Sequence, residues 1–180
     1  MNTVDLLAEI LKREGVEYLS CFPTTPVIES AAAAGIRPII CRQERVGVGI
    51  ADGYSRVNNG SKVGVFAMQS GPGAENAYAG VATAYSDSTP ILLLPTGHPR
   101  ERQGILPHFN SITNFAGVTK YVEQINTPGR TTDVMRRAFA GIYQGRPGPV
   151  IVEIPSDIAL EEVPEEAIQW GKNFPNLGSA

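Results

Sequence analysis

Val63-Gly64-Val65-Phe66-Ala67-Met68 runs through Gln69-Ser70-Gly71-Pro72-Gly73 into Ala74-Glu75-Asn76-Ala77-Tyr78-Ala79. An apolar segment without polar alternation has to be covered on both faces, the condition of a central strand in a parallel sheet. The glycine–proline–glycine turn then delivers the chain into an alanine-rich helix, with proline in a first-turn position. Similar apolar runs stand at Tyr18 to Cys21, Pro38 to Cys41, Ile91 to Leu94 and Val150 to Ile154, with a weaker one at Tyr121-Val122. Helical periodicity fills the gaps, over 4–14, 27–34, 45–57, 74–85 and 132–143, and several of these stretches are closed by glycine. The alternation predicts an α/β fold: a doubly wound parallel sheet of about six strands with helices on both faces. One domain is expected over 1–164. Beyond it, the acidic and then Asn/Pro-containing segment 165–180 reads as a linker or tail.

The composition narrows the function. The chain has 180 residues, the length of one domain, and a formal charge of −3, so no basic surface for nucleic acid is built in. Charged residues make up only 18%, against roughly 25% in an average domain, which implies surface hidden by another chain. Asp5 stands where a secretory signal would be basic, and no apolar run approaches the roughly 20 residues of a bilayer span, so a cytoplasmic protein is expected. Cys21 and Cys41 read as small core or pocket residues rather than a bridge.

Ligands of open parallel sheets bind outside the carboxyl ends of the strands. The residues there are Phe22-Pro23-Thr24-Thr25-Pro26, Arg42-Gln43-Glu44-Arg45, Gln69 to Gly73, and Pro95-Thr96-Gly97-His98. The Gly71-Pro72-Gly73 turn does not complete a dinucleotide fingerprint, because Asn76 occupies the third glycine position and no acid closes the next strand. A turn that merely starts a helix is the plainer alternative. Gly47, Gly49 and Gly53 lie inside the 45–57 helix, each at a cost of about 1 kcal/mol relative to alanine. Such a helix suits either close packing on its own sheet or, the preferred reading, a subunit interface. The long connection 95–119 is expected to be irregular and holds both histidines, His98 and His108, whose spacing makes no metal set.

Here the strings become informative together. Arg42-Gln43-Glu44, followed by Ala51-Asp52-Gly53-Tyr54-Ser55-Arg56, resembles the R-H-E-x(6)-A-D-G-Y-A-R segment of thiamine diphosphate enzymes, with Gln43 in place of the usual histidine. Ser70-Gly71-Pro72-Gly73-Ala74-Glu75-Asn76 resembles their S-G-P-G-A-x-N turn. Thr89-Pro90-Ile91, Thr119-Lys120-Tyr121 and Gly145-Arg146-Pro147-Gly148-Pro149-Val150 follow in family order. The chain is similar to the N-terminal pyrimidine-binding (PYR) domain of acetolactate synthase and pyruvate decarboxylase-like enzymes.

The resemblance implies that Glu44 activates the cofactor's aminopyrimidine at N1′. It implies too that Pro23, Thr24, Ser70, Gly71, Pro72, Gly73 and Asn76 border the ring, and that Phe109 and Asn110 lie near the substrate; His98 and His108 read either as plain loop histidines or as proton-handling groups at the substrate. Thr24, where glycine is usual, and Ser20-Cys21, where Phe-Gly is frequent, depart from the pattern. No G-D-G motif for the diphosphate and Mg²⁺ occurs. The resemblance therefore implies that a partner PP domain holds that end of the cofactor, and that this chain binds no metal itself. The expected activity is that of a decarboxylase or carboligase, a lyase or transferase acting on a 2-keto acid, in a homo-oligomer joined through the 45–57 helix. Glu44 is expected to face solvent in an isolated chain and to become dry only on assembly. Two alternatives stay open: a non-catalytic assembly module, and the small subunit of a split sulfopyruvate decarboxylase-like enzyme.

Overall fold

The computed structural model describes residues 1–170. Six strands, β1 (Tyr18–Cys21), β2 (Arg37–Ile40), β3 (Gly64–Met68), β4 (Ile91–Gly97), β5 (Tyr121–Gln124) and β6 (Val150–Pro155), form one sheet in the order β2-β1-β3-β4-β6-β5. Every pairing is parallel. The helices are α1 (Thr3–Arg13), α2 (Val27–Ala33), α3 (Glu44–Val57), α4 (Pro72–Ser86), α5 (Ser111–Phe115) and α6 (Thr131–Tyr143).

Side-chain alternation divides the sheet between two cores, as the pleat requires. Leu19, Val65, Ala67, Leu92, Leu94, Val150 and Val152 pack with α1, α2 and α6. Phe66, Met68, Ile91, Leu93 and Ile151 pack with α3, α4 and Phe115 of α5. β3 is buried throughout, as its unbroken apolar run requires.

α1 starts where the Asn2 side chain accepts a hydrogen bond from the Asp5 amide at 2.9 Å, and Lys12 and Arg13 sit favourably in its last turn. Its start is tied to the far end of the chain, with the Thr3 amide donating to the Glu161 carbonyl at 3.0 Å and the Val163 amide to the Met1 carbonyl at 3.0 Å. Residues 165–167 form a 3-10 turn, and the Arg13 guanidinium lies 3.7 Å from the centre of the Trp170 ring. Residues 171–180 of the expected tail lie outside the described residues.

Two details correct the expected layout. β4 continues through Pro95 and Thr96 to Gly97, because Thr96 and Gly97 pair with Ile154 and Pro155 of β6. Within the connection expected to be irregular, 111–115 is helical. Its cap is the Asn110 side chain accepting from the Thr113 amide at 3.0 Å, and its anchor is the buried Phe115. A helix of five residues is too short to show a period.

The motifs outside the ligand end hold the sheet together. The Ser55 hydroxyl donates to the Pro90 carbonyl at 2.6 Å and accepts from the Gly64 amide at 2.8 Å, joining α3 to β3 and the entry of β4. Ser20 donates to the Gly47 and Val65 carbonyls at 2.9 and 3.0 Å. Lys120 donates to the Gln144 carbonyl and Arg146 to the Ser88 hydroxyl and Ser86 carbonyl, so two cations close the carboxyl ends of α6 and α4. Cys21 and Cys41 are free and buried. No helix among the described residues is long and apolar enough to cross a membrane.

Candidate active site

The strand order creates two crevices at the carboxyl edge. β1 feeds α2 on one face, whereas β3 feeds α4 on the other, so the loops after β1 and β3 diverge and leave the first opening between them. β6 is inserted between β4 and β5, with α5 and α6 on opposite faces, which opens the second.

Glu44 opens α3 beside the first crevice. Gln43 before it is extended, with φ −148° and ψ 141°, and directs the chain from β2 into the helix without a side-chain cap. The Glu44 side of the helix start is only 5% exposed. Its carboxylate lies against the turn after β3. Asn76 Nδ2 donates to Oε2 at 3.3 Å, and a Cβ placed on Gly73 would come within 2.9 Å of Oε1 and equally close to Gln69 Cβ. Glycine at 73 is thus what admits the carboxylate. Gly71, at φ +59° and ψ −115°, makes the reversal that aims Pro72 and Gly73 at it.

Glu44 is therefore buried already in the single chain, which corrects the expectation that it faces solvent until assembly. The cover comes from α4 and its turn rather than from a partner. Arg42 and Arg45 are both exposed, and among the described residues neither forms an ion pair with Glu44. A buried carboxylate met by one neutral amide keeps further acceptor positions for a donor brought to the crevice.

Pro23 and Thr24 are exposed in the loop after β1, where the Thr24 amide donates to the Phe22 carbonyl at 2.8 Å in a tight turn. Ser70, Gly71, Pro72, Gly73 and Asn76 all belong to the β3–α4 turn or the first turns of α4. The structure thus brings Glu44, Gly73 and Asn76 into direct contact and places Pro23 and Thr24 at the mouth of the same strand edge. Gly47 packs on its own sheet, since a Cβ there would meet the Phe66 ring at 2.1 Å; Gly49 and Gly53 have open space around them. The close-packing alternative holds for the first of these glycines.

His98, His108, Phe109 and Asn110 line a cavity of about 570 Å³ at the second crevice. The two imidazoles lie with ring centres 4.2 Å apart. The lining residues that the sequence reading did not single out include Glu153 on β6, 7% exposed, and Gln124 on β5, whose Nε2 donates to Glu153 Oε1 at 2.5 Å. An acid inside the apolar run 150–154 was the available signal. Among the described residues no group of three or more histidine, cysteine or acidic side chains could hold a metal ion.

Comparison with known proteins gives this geometry its class. Residues 1–126 match the family described as thiamine pyrophosphate enzyme, N-terminal TPP binding domain, and the chain belongs to that family. The probable acetolactate synthase large subunit of Methanocaldococcus jannaschii is 30% identical over 168 residues, covering 91% of this chain and 28% of its own length. The acetolactate synthase large subunit of Haemophilus influenzae is 32% identical over 87% of this chain and 28% of its own length. The chloroplastic acetolactate synthase of Arabidopsis thaliana is 34% identical over 86% and 24%. The chain spans about a quarter of the length of these relatives.

Proposed function

We propose that this chain is the pyrimidine-activating domain of a thiamine diphosphate-dependent, acetolactate synthase-like enzyme. The observation that carries the reading is the buried Glu44 carboxylate, hydrogen-bonded by Asn76 and admitted by the missing side chain of Gly73. A flat heterocycle fits beside a turn whose Gly71 and Gly73 present backbone, and Glu44 is the group able to hold a proton at its N1′. Bound thiamine diphosphate supplies a nucleophilic carbon for decarboxylation or carboligation of a 2-keto acid. This chain's part is to seat the ring and to keep water from Glu44.

The diphosphate and Mg²⁺ are assigned to a PP domain supplied by the remainder of a longer polypeptide or by a partner subunit, in the cytoplasm. A second copy is placed on α3, where Val46 and Val57 are 51% and 80% exposed and Gly49 permits close approach. His98, His108, Phe109 and Asn110 are assigned to the substrate side.

The test is proton exchange at the thiazolium carbon of thiamine diphosphate, with Mg²⁺ and a PP-domain partner present. Fast exchange with the parent chain and slow exchange with Glu44→Gln is the expected pair of results. Equal rates would defeat the proposal and favour a non-catalytic assembly module.

A further inference from the structure

We infer that the cavity at the amino ends of β4, β5 and β6 binds a nucleoside monophosphate, its phosphate between Lys120 and Arg146 and its base against Tyr85. The cavity lies at the opposite edge of the sheet from Glu44 and from the residues assigned to the 2-keto acid, so the inference rests on neither.

The cavity has a volume of about 530 Å³, ample for a mononucleotide, and is walled by the segments that lead into the three strands. The Lys120 amide donates to the Pro149 carbonyl at 2.8 Å, which ties the approach to β5 to the approach to β6. Next to Lys120, the buried Thr119 hydroxyl donates to the Phe115 carbonyl at 2.8 Å and anchors that segment in the core. The lining is therefore held in place before any ligand arrives.

Charge decides the kind of ligand. Arg56, Arg100, Arg130 and Arg137 each face a carboxylate at 2.7 Å. Lys120 and Arg146 differ, because among the described residues neither forms an ion pair with an acid. Lys120 donates instead to the Gln144 carbonyl, and Arg146 to the Ser88 hydroxyl and the Ser86 carbonyl. The ends of α4 and α6 bring about half a negative charge each, so two full positive charges leave an excess of about one. Asp87, at the end of α4, is already engaged by Arg56 at 2.8 Å. Burial also pushes the Lys120 ammonium below its ordinary value, a penalty that a bound anion relieves.

Lys120 spends one of its three donors on the protein and Arg146 two of its five, which leaves both cations N–H groups for a ligand. Gly145, at φ +66°, lines the same cavity and adds an amide with no protein acceptor among the described residues. A phosphate monoester carries nearly two negative charges and three acceptor oxygens, and so uses this set more fully than a carboxylate does. Tyr85 supplies the second element of recognition. Its ring is 45% exposed at the cavity wall, next to the cationic pair, and a flat base can stack on it.

Calorimetric titration of the 180-residue chain with AMP, ribose 5-phosphate and adenosine tests the assignment. AMP is expected to bind saturably, and less tightly as salt is added. Adenosine should bind about tenfold more weakly or worse for want of the phosphate, and ribose 5-phosphate about fivefold more weakly for want of the base. Arg146→Met and Lys120→Met should each weaken AMP about tenfold. Should either fail to fold, Tyr85→Leu at an exposed position should weaken AMP about fivefold and leave ribose 5-phosphate unchanged. No saturable binding of AMP, adenosine or ribose 5-phosphate binding as tightly as AMP, or variants that all bind as the parent does, would each overturn the inference. Glu44→Gln should bind AMP normally, so failure of this site and failure of cofactor activation appear in different measurements.

Discussion

Asn76 Nδ2 donates to Glu44 Oε2 at 3.3 Å, across 32 positions of sequence, and thereby joins the first turn of α3 to the second turn of α4. The contact fixes which way the carboxylate faces, and it does so with a neutral group.

Replacing Glu44 by glutamine keeps the shape and the Asn76 neighbourhood but removes the proton acceptor. In the assembled enzyme, turnover and thiazolium exchange should fall by about 10²- to 10⁴-fold, the usual worth of a positioned acid–base group. The circular dichroism spectrum should not change. Asn76→Ala is expected to cost less, because it orients the carboxylate without replacing it.

Glycines 73, 47 and 49 should respond to alanine in different ways. Gly73→Ala forces Cβ against Glu44 Oε1 and Gln69 Cβ, and Gly47→Ala drives it into the Phe66 ring. Each should lower stability by about 1–3 kcal/mol in urea unfolding, as overpacked sites do. Gly47→Ala should be partly rescued by Phe66→Leu, whereas Gly73→Ala should also depress cofactor activation. Gly49→Ala meets open space in a helix and should raise the stability of the single chain by about 0.5–1 kcal/mol. A loss of oligomer in gel filtration by that same variant would locate the subunit contact on α3.

Within the string Ala51 to Arg56, the serine should matter more than the arginine. Ser55→Ala strands the Gly64 amide and the Pro90 carbonyl in the core and should cost about 1–3 kcal/mol. Arg56 bridges Asp52 at 2.7 Å and Asp87 at 2.8 Å, but its side chain is 40% exposed. Arg56→Met should therefore cost about 1 kcal/mol or less, and the difference should shrink in high salt.

Burial pushes the Cys21 thiol up to about 11, with Cys41 nearby adding to the shift. Because the folded value lies above the unfolded one, this thiol's contribution is complete below about pH 8.5 and declines as pH rises towards 11. Unfolding midpoints should fall over that window more steeply in the parent than in Cys21→Ala. Iodoacetamide at pH 8 should label Cys21 slowly in the folded chain and rapidly in urea.

The helices and strands were legible because each depends on short-range pattern. The unbroken apolar run of β3, the glycine ends of α1 and α2 and the alternation of strand and helix survive in the structure within a few residues. Glu44 was legible only through the strings around it, since an acid in a first helical turn is unremarkable by itself. Those strings in turn are explained by the brace that Ser55, Lys120 and Arg146 make around the sheet. Glu153 was not legible: one acid in an apolar strand reads as an edge or surface position until β5 and β4 are found on either side of it. The five residues of α5 carried too little periodicity to be seen, and their helix depends on Asn110 as a cap and Phe115 as an anchor.

Sequence alone determined the α/β class, the alternation of the six strands with the longer helices and the glycine–proline–glycine turn after β3, because backbone sterics and hydrophobic periodicity act over a few residues. Tertiary structure decided which loops share an edge. The strand order β2-β1-β3-β4-β6-β5 puts Glu44 under Gly73 and Glu153 beside the ends of β4 and β5. That order is chosen by burial of the whole sheet between two helical layers, a property of the complete chain that no local stretch encodes.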